Sequence, residues 1–142
     1  MTTEERLAEF VRMQEPVYER VLRELRAGRK ESHWIWYIFP QMAGLGFSPM
    51  SRRYGIPSLA EAQAYLAHRV LGARLRECAQ IMVDAASADI ESIMGYPDDL
   101  KFRSSMTLFN AAAPEEPVFR EALEKFFAGE RDEKTLALLR SD

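Results

Sequence analysis

Apolar residues recur along this chain at three- and four-residue steps, the spacing of one helical face, and nowhere settle into the alternation of a half-buried strand. Thr2 and Glu5 stand in capping-box spacing ahead of Leu7, Phe10, Val11 and Gln14, which share a face. Pro16 stops that helix and opens a second, in which Tyr18, Val21, Leu22 and Leu25 repeat among charged neighbours until Gly28 caps it. Ser58 and Glu61 form another capping box, leading a helix through Ala62, Tyr65 and Leu66. Beyond a junction at His68 and Arg69, the residues Val70, Leu71, Leu75, Cys78, Ile81, Met82 and Ala85 make the longest apolar stripe, the expected central core helix. Asp89 to Met94 predicts a short helix ended by Gly95, and Pro97 with Asp98 and Asp99 starts one that reaches Ala112. Pro117 opens a last long helix through Phe127, closed at Gly129, and Leu136, Leu138 and Leu139 mark a final short one.

Between Gly28 and Ser58 the pattern changes. The stretch from Ser32 to Gln41 holds both tryptophans, one of the two histidines and almost no charge. Its Ile, Trp, Tyr and Phe residues favour strands, yet no alternation and no partner strand accompany them. The expectation is a short buried helix capped by Ser32 and ended by Pro40. Gln41 to Pro57 carries Gly44, Gly46, Pro49, Gly55 and Pro57, so it is expected to be mostly loop, with Ser48 and Pro49 opening one helical turn through Arg53. The predicted fold is all-α: a compact multihelical single domain over residues 1–142, of about seven to nine helices, with a Gly/Pro-rich loop in the middle.

Composition narrows the function classes. With 142 residues, 47% hydrophobic and 29% charged, the chain has material for one sizeable core. A net charge of -3 argues against a nucleic-acid binder that relies on a basic face. No apolar run approaches the roughly 18 residues of a membrane span, and the chain start lacks a signal-like pattern, so a cytoplasmic protein is expected. The single cysteine and two separated histidines form no zinc-ligand cluster. No metal and no cofactor are expected, and the pattern assigns no oligomeric state.

Three stretches carry candidate chemistry. In the first, Trp34, Trp36 and Tyr37 have the surfaces to stack a planar ligand, with Lys30, His33 and Gln41 to orient it; aromatic clusters serve equally well as core. In the second, Gly44 to Ile56, a glycine-rich turn enters a Ser-Pro helix start where Ser48, Ser51, Arg52, Arg53 and Tyr54 suit an anion, although an ordinary capped turn has the same composition. In the third, Lys101, Ser104, Ser105 and Thr107 interrupt an apolar helix. Hydroxyls there call for close packing or a bonding partner. A serine-lysine hydrolase is not implied, because Lys101 precedes Ser105, the reverse of the hydrolase order. Cys78 and His68 fit core and cap roles.

Taken together, Ser32-His33-Trp34-x-Trp36-Tyr37-Ile38-Phe39-Pro40-Gln41, Ser48-x-x-Ser51-x-x-Tyr54-Gly55-Ile56 and Asp99-x-Lys101-x-x-Ser104-Ser105-x-Thr107-Leu108-Phe109 resemble the family catalogued as domain of unknown function 1810. The resemblance implies a small, mainly helical protein in which these three motifs meet; it carries no catalytic residues over. Phe102 stands where the family pattern has a leucine, a conservative change.

Two function classes follow, and a weaker third. The first is an enzyme or receptor for a small anionic, nucleotide-like ligand. Trp34 or Trp36 would stack a ring, the Ser48 to Arg53 turn would hold a phosphate, and His33 or Lys101 would supply acid–base chemistry. Its ligand-binding set is Trp34, Trp36, Gln41, Ser48, Ser51, Arg52, Tyr54, Lys101, Ser104 and Ser105. The second is a non-enzymatic protein interaction module with structural motifs, which predicts an exposed apolar patch and no polar pocket at His33. The third is RNA binding through Arg23, Arg26, Arg29 and Lys30.

Overall fold

The computed structural model describes residues 1–141. Among them ten helices follow one another: α1 (Thr3–Gln14), α2 (Tyr18–Arg26), α3 (Ile35–Ile38), α4 (Pro49–Tyr54), α5 (Leu59–Ala67), α6 (Arg69–Asp84), α7 (Ile90–Met94), α8 (Asp98–Ala112), α9 (Pro117–Phe127) and α10 (Glu133–Arg140). The all-helical expectation holds. The count passes nine because α3, α4 and α7, of 4, 6 and 5 residues, are numbered separately. Among the described residues there is no strand beyond an isolated parallel bridge between Met42 and Ile56, and no helix is long and apolar enough to cross a membrane.

Helix starts fall where the polar signals place them. Side-chain oxygens of Thr2, Ser48, Ser58, Asp89 and Asp132 each accept the backbone N–H three residues on, an interaction of about 1 kcal/mol. His68 Nδ1 accepts from both Val70 and Leu71 at the α5–α6 junction. Ser32 departs from expectation. Trp34 occupies the N-cap of α3 and makes no side-chain cap, because the Ser32 hydroxyl donates to the Glu24 carboxylate at 2.6 Å. A buried charged acceptor outcompetes a local turn, and α3 is left as a single turn.

Helix α8 lies at the centre, packed against α5, α7, α9 and α10. Phe102, Met106 and Phe109 bury one face, and Ser104, Thr107 and Leu108 are buried on another. The small hydroxyls let α10 approach. Ser104 and Thr107 donate back to the carbonyls of Leu100 and Arg103, and Thr107 Oγ1 also accepts the Asp132 N–H ahead of α10. At the α5–α6 corner a Cβ on Gly72 would lie 2.1 Å from the Leu66 carbonyl oxygen, so the corner closes only around glycine.

The Gly/Pro-rich loop is closed at its base. Ala43 N–H donates to the Ile56 carbonyl and Ile56 N–H to the Gln41 carbonyl, both at 2.8 Å. A Cβ on Gly55 would come within 2.8 Å of both the Ala43 Cα and the Ser51 carbonyl. This closure sets α4 beside α3 and turns the loop toward the start of α8.

Candidate functional site

The first motif is organised by an acid outside it. Glu24, on α2 and 8% exposed, accepts from the N–H groups of Glu31 and Ser32, from Ser32 Oγ and from Trp34 Nε1, at 2.6 to 3.0 Å. Burial pushes its carboxyl up, but these donors outweigh burial and hold it at about 2. Trp34 is thereby locked into the core at 1% exposure. It is not a ligand platform.

Beside it stands an arrangement of two cations on one anion. Lys30, its side chain 5% exposed, places Nζ 2.8 Å from Asp98 Oδ2 and 5.0 Å from the centroid of the Trp34 ring. Lys101 places Nζ 3.3 Å from Asp98 Oδ1 and 4.4 Å from the centroid of the Trp36 ring. Each tryptophan of the motif thus lies under an ammonium, and one carboxylate serves both.

Above Trp36 opens a cleft of about 280 Å³. The first motif contributes Trp36 and Gln41; the loop contributes Met42, Leu45, Ser51 and Tyr54; and Leu100, Lys101 and Ser104 come from α8. Asp132 and Lys134, from the start of α10, complete it. All three motifs therefore reach one cleft.

The expected site residues divide. Trp36, Gln41, Ser51, Tyr54, Lys101 and Ser104 line the cleft. Trp34 does not, for the reason given. Ser48 and Arg52 are exposed outside it; Ser48 spends its hydroxyl on the Ser51 N–H. Ser105 is fully buried, its Oγ without a hydrogen-bond partner among the described residues. His33 is exposed and lines none of the walls. Asp132 and Lys134 were not anticipated as site residues. Asp132 had a signal, its N-cap spacing to Thr135; Lys134 had none.

The cleft's charges do not balance. Asp132 accepts from Ser104 Oγ, Thr135 N–H and Thr135 Oγ1 and pairs loosely with Arg103 at 3.8 Å. Lys134 has no ion-pair partner among the described residues. Of the residues that line the cleft, Lys101, Lys134 and Asp132 are charged, two cations to one anion, an excess of one positive charge, in a chain whose net charge is -3. Burial pushes the Tyr54 hydroxyl up, which keeps it protonated and neutral near pH 7. No group of three or more His, Cys, Asp or Glu residues is placed to hold a metal ion among the described residues. Cys78 lies in the core, far from this chemistry, and burial pushes its thiol up to about 12.

Residues 4–139 match the family described as "Protein of unknown function (DUF1810)". The chain belongs to that family. Its fold is similar to that of the conserved hypothetical protein Rv1873 from Mycobacterium tuberculosis, known from a crystal structure, with a TM-score of 0.92 and 52% sequence identity over 94% of this chain and 96% of that one. No curated protein matches the chain.

Proposed function

We propose that this DUF1810 protein binds a small anionic ligand in the cleft above Trp36, with Lys101 as its main contact and Lys134 and Gln41 as supporting ones. The charge excess carries this reading. Asp98 already serves the buried Lys30 at the shorter distance, so part of the Lys101 charge is left for an incoming anion. Trp36 Nε1 has no hydrogen-bond partner among the described residues, unlike Trp34 Nε1. The arrangement supports binding rather than a named reaction: Lys101 is the catalytic candidate at the cleft, while His33 stands away from it.

The test is a thermal-shift screen of wild type and Lys101→Ala with nucleotides, phosphorylated metabolites and organic acids. An anion that binds only the folded state raises Tm. The expected result is a saturable rise in wild type that Lys101→Ala removes. If no anion raises Tm, or the variant responds equally, the reading is overturned.

A docking module is the second reading, supported by exposed Phe47 and Tyr96 beside the cleft. A protein partner predicts that Phe47→Ala and Tyr96→Ala weaken its capture while Lys101→Ala does not. RNA binding loses support, because Lys30 is buried and paired and Arg26 faces Glu77 at 4.0 Å.

A further inference from the structure

The cleft is poor in open aromatic faces. Lys101 occupies a face of Trp36, so a ring stacking there must displace a cation from both the indole and Asp98. Tyr54 is 2% exposed, packed against Phe10 at 5.7 Å and Tyr37 at 5.8 Å, with the Arg53 guanidinium 5.4 Å from its ring centroid. Trp34 lies in the core. The rest of the apolar lining, beside the polar residues already named, is aliphatic: Met42, Leu45, Pro97 and Leu100.

The large apolar side chains that the fold leaves in solvent gather at the same place. Leu100, 43% exposed, is itself a wall residue. Phe47, Met50 and Tyr96 are 84%, 36% and 74% exposed and directly adjoin the wall residues Gly46, Ser51 and Pro97 in the chain. Among the described residues only Met1 is a comparable exposed apolar side chain elsewhere. An aliphatic wall continuous with an exposed apolar rim favours a ligand whose body is apolar.

The cation chemistry narrows the head group. Recognition of a dianionic phosphate favours a guanidinium fork or a cradle of backbone N–H groups. Here Arg52 stands outside and Arg103 is engaged with Asp132. The Ser51 N–H at the start of α4 is already taken by Ser48 Oγ. The ammoniums at the wall, Lys101 and Lys134, lack the fork of a guanidinium, and Lys101 is already shared with Asp98; they suit a carboxylate.

We infer that the ligand is an amphipathic carboxylic acid, its carboxylate on Lys101 and its aliphatic body against Met42, Leu45 and Leu100. The inference rests on the anion reading above and specifies the class. A nucleotide would have to stack its base at Trp36, where Lys101 already covers a face.

The experiment measures affinity by calorimetry for butyrate, hexanoate, octanoate, octan-1-ol, AMP and inorganic phosphate, on wild type, Lys101→Ala and Leu100→Ser. Each added methylene is expected to tighten binding about fourfold, the affinity equivalent of roughly 0.8 kcal/mol. Lys101→Ala should weaken octanoate by tenfold or more, to the level of octan-1-ol. Leu100→Ser, at an exposed position that spares the fold, should weaken octanoate and leave butyrate unchanged. If AMP or phosphate binds and the acid series is flat, the carboxylic-acid inference is overturned and the anion reading survives. If octan-1-ol binds as well as octanoate, or no anion binds at all, both are overturned.

Discussion

Trp34 and Trp36 stand on the two sides of Ile35, each beneath a lysine ammonium, the two ammoniums sharing Asp98. Their fates differ. Trp34 is sealed in the core, its N–H given to Glu24; Trp36 borders a cleft and its N–H has no partner among the described residues. The same holds for the lysines, whose side chains are 5% and 24% exposed. The distinction is not residue type but whether every polar valence is met from within. Where Glu24 takes the indole N–H and Asp98 the ammonium, the pair is structure; where one donor and part of a charge are left over, the pair borders the cleft proposed for an anion.

Breaking the sealed half should have the largest effect. Glu24→Ala strands three N–H groups and a hydroxyl in a buried region and should lower unfolding free energy by about 4 kcal/mol, measured by urea denaturation. A small loss would mean that water replaces the carboxylate and that Trp34 is not sealed. Acid should act on the same group. Its folded pKa, about 2, lies below the ordinary 4.5, so its contribution is complete above the ordinary value and is lost as pH falls through about 2. The loss should approach 3 kcal/mol in denaturation measured across that range. Glu24→Gln should flatten the acid slope.

The tryptophans sharpen the contrast further. Trp34→Phe forfeits a buried hydrogen bond to a charged acceptor and core volume, for about 3 kcal/mol, whereas Trp36→Phe should cost less than about 1 kcal/mol. Lys30→Met should cost about 2 kcal/mol, because Asp98 keeps only its weaker partner. Lys101→Met, at a partly exposed pair, should stay within about 0.5 kcal/mol in stability and show its effect in ligand binding instead. Equal stability losses for the two lysines would remove the distinction drawn between the two halves.

Much of the fold was legible because its signals are local. Thr2, Ser58, Asp89 and His68 cap the helices they precede, and the hydroxyls of α8 announced a helix with two packed faces. Ser32 misled because its hydroxyl is claimed by Glu24, an acid on another helix that no spacing rule connects to it. The meeting of the three motifs was legible as a resemblance, and Trp36, Gln41, Ser51, Tyr54, Lys101 and Ser104 do stand together. Trp34, Ser48, Arg52, Ser105 and His33 carried the same chemical promise but face elsewhere. A helix of one turn sends neighbours in different directions, and a capping serine spends its oxygen locally. Asp98 and Lys101 are an i,i+3 pair on α8, but the hold of Lys30 on the same carboxylate spans distant parts of the chain, and no periodic pattern encodes it.

The closed base of the loop, where Met42 bridges Ile56 and Gly55 presses on Ala43, makes the exposed tip around Phe47, ahead of α4, an exchangeable cassette. Its ends are pinned by the fold whatever lies between them, so residues added ahead of Phe47 lengthen the tip without moving the anchors. Such lengthening costs only about 0.6 kcal/mol per doubling of loop length. One half of the cleft's rim is therefore open to redesign, in length and in composition, on a scaffold that stays in register.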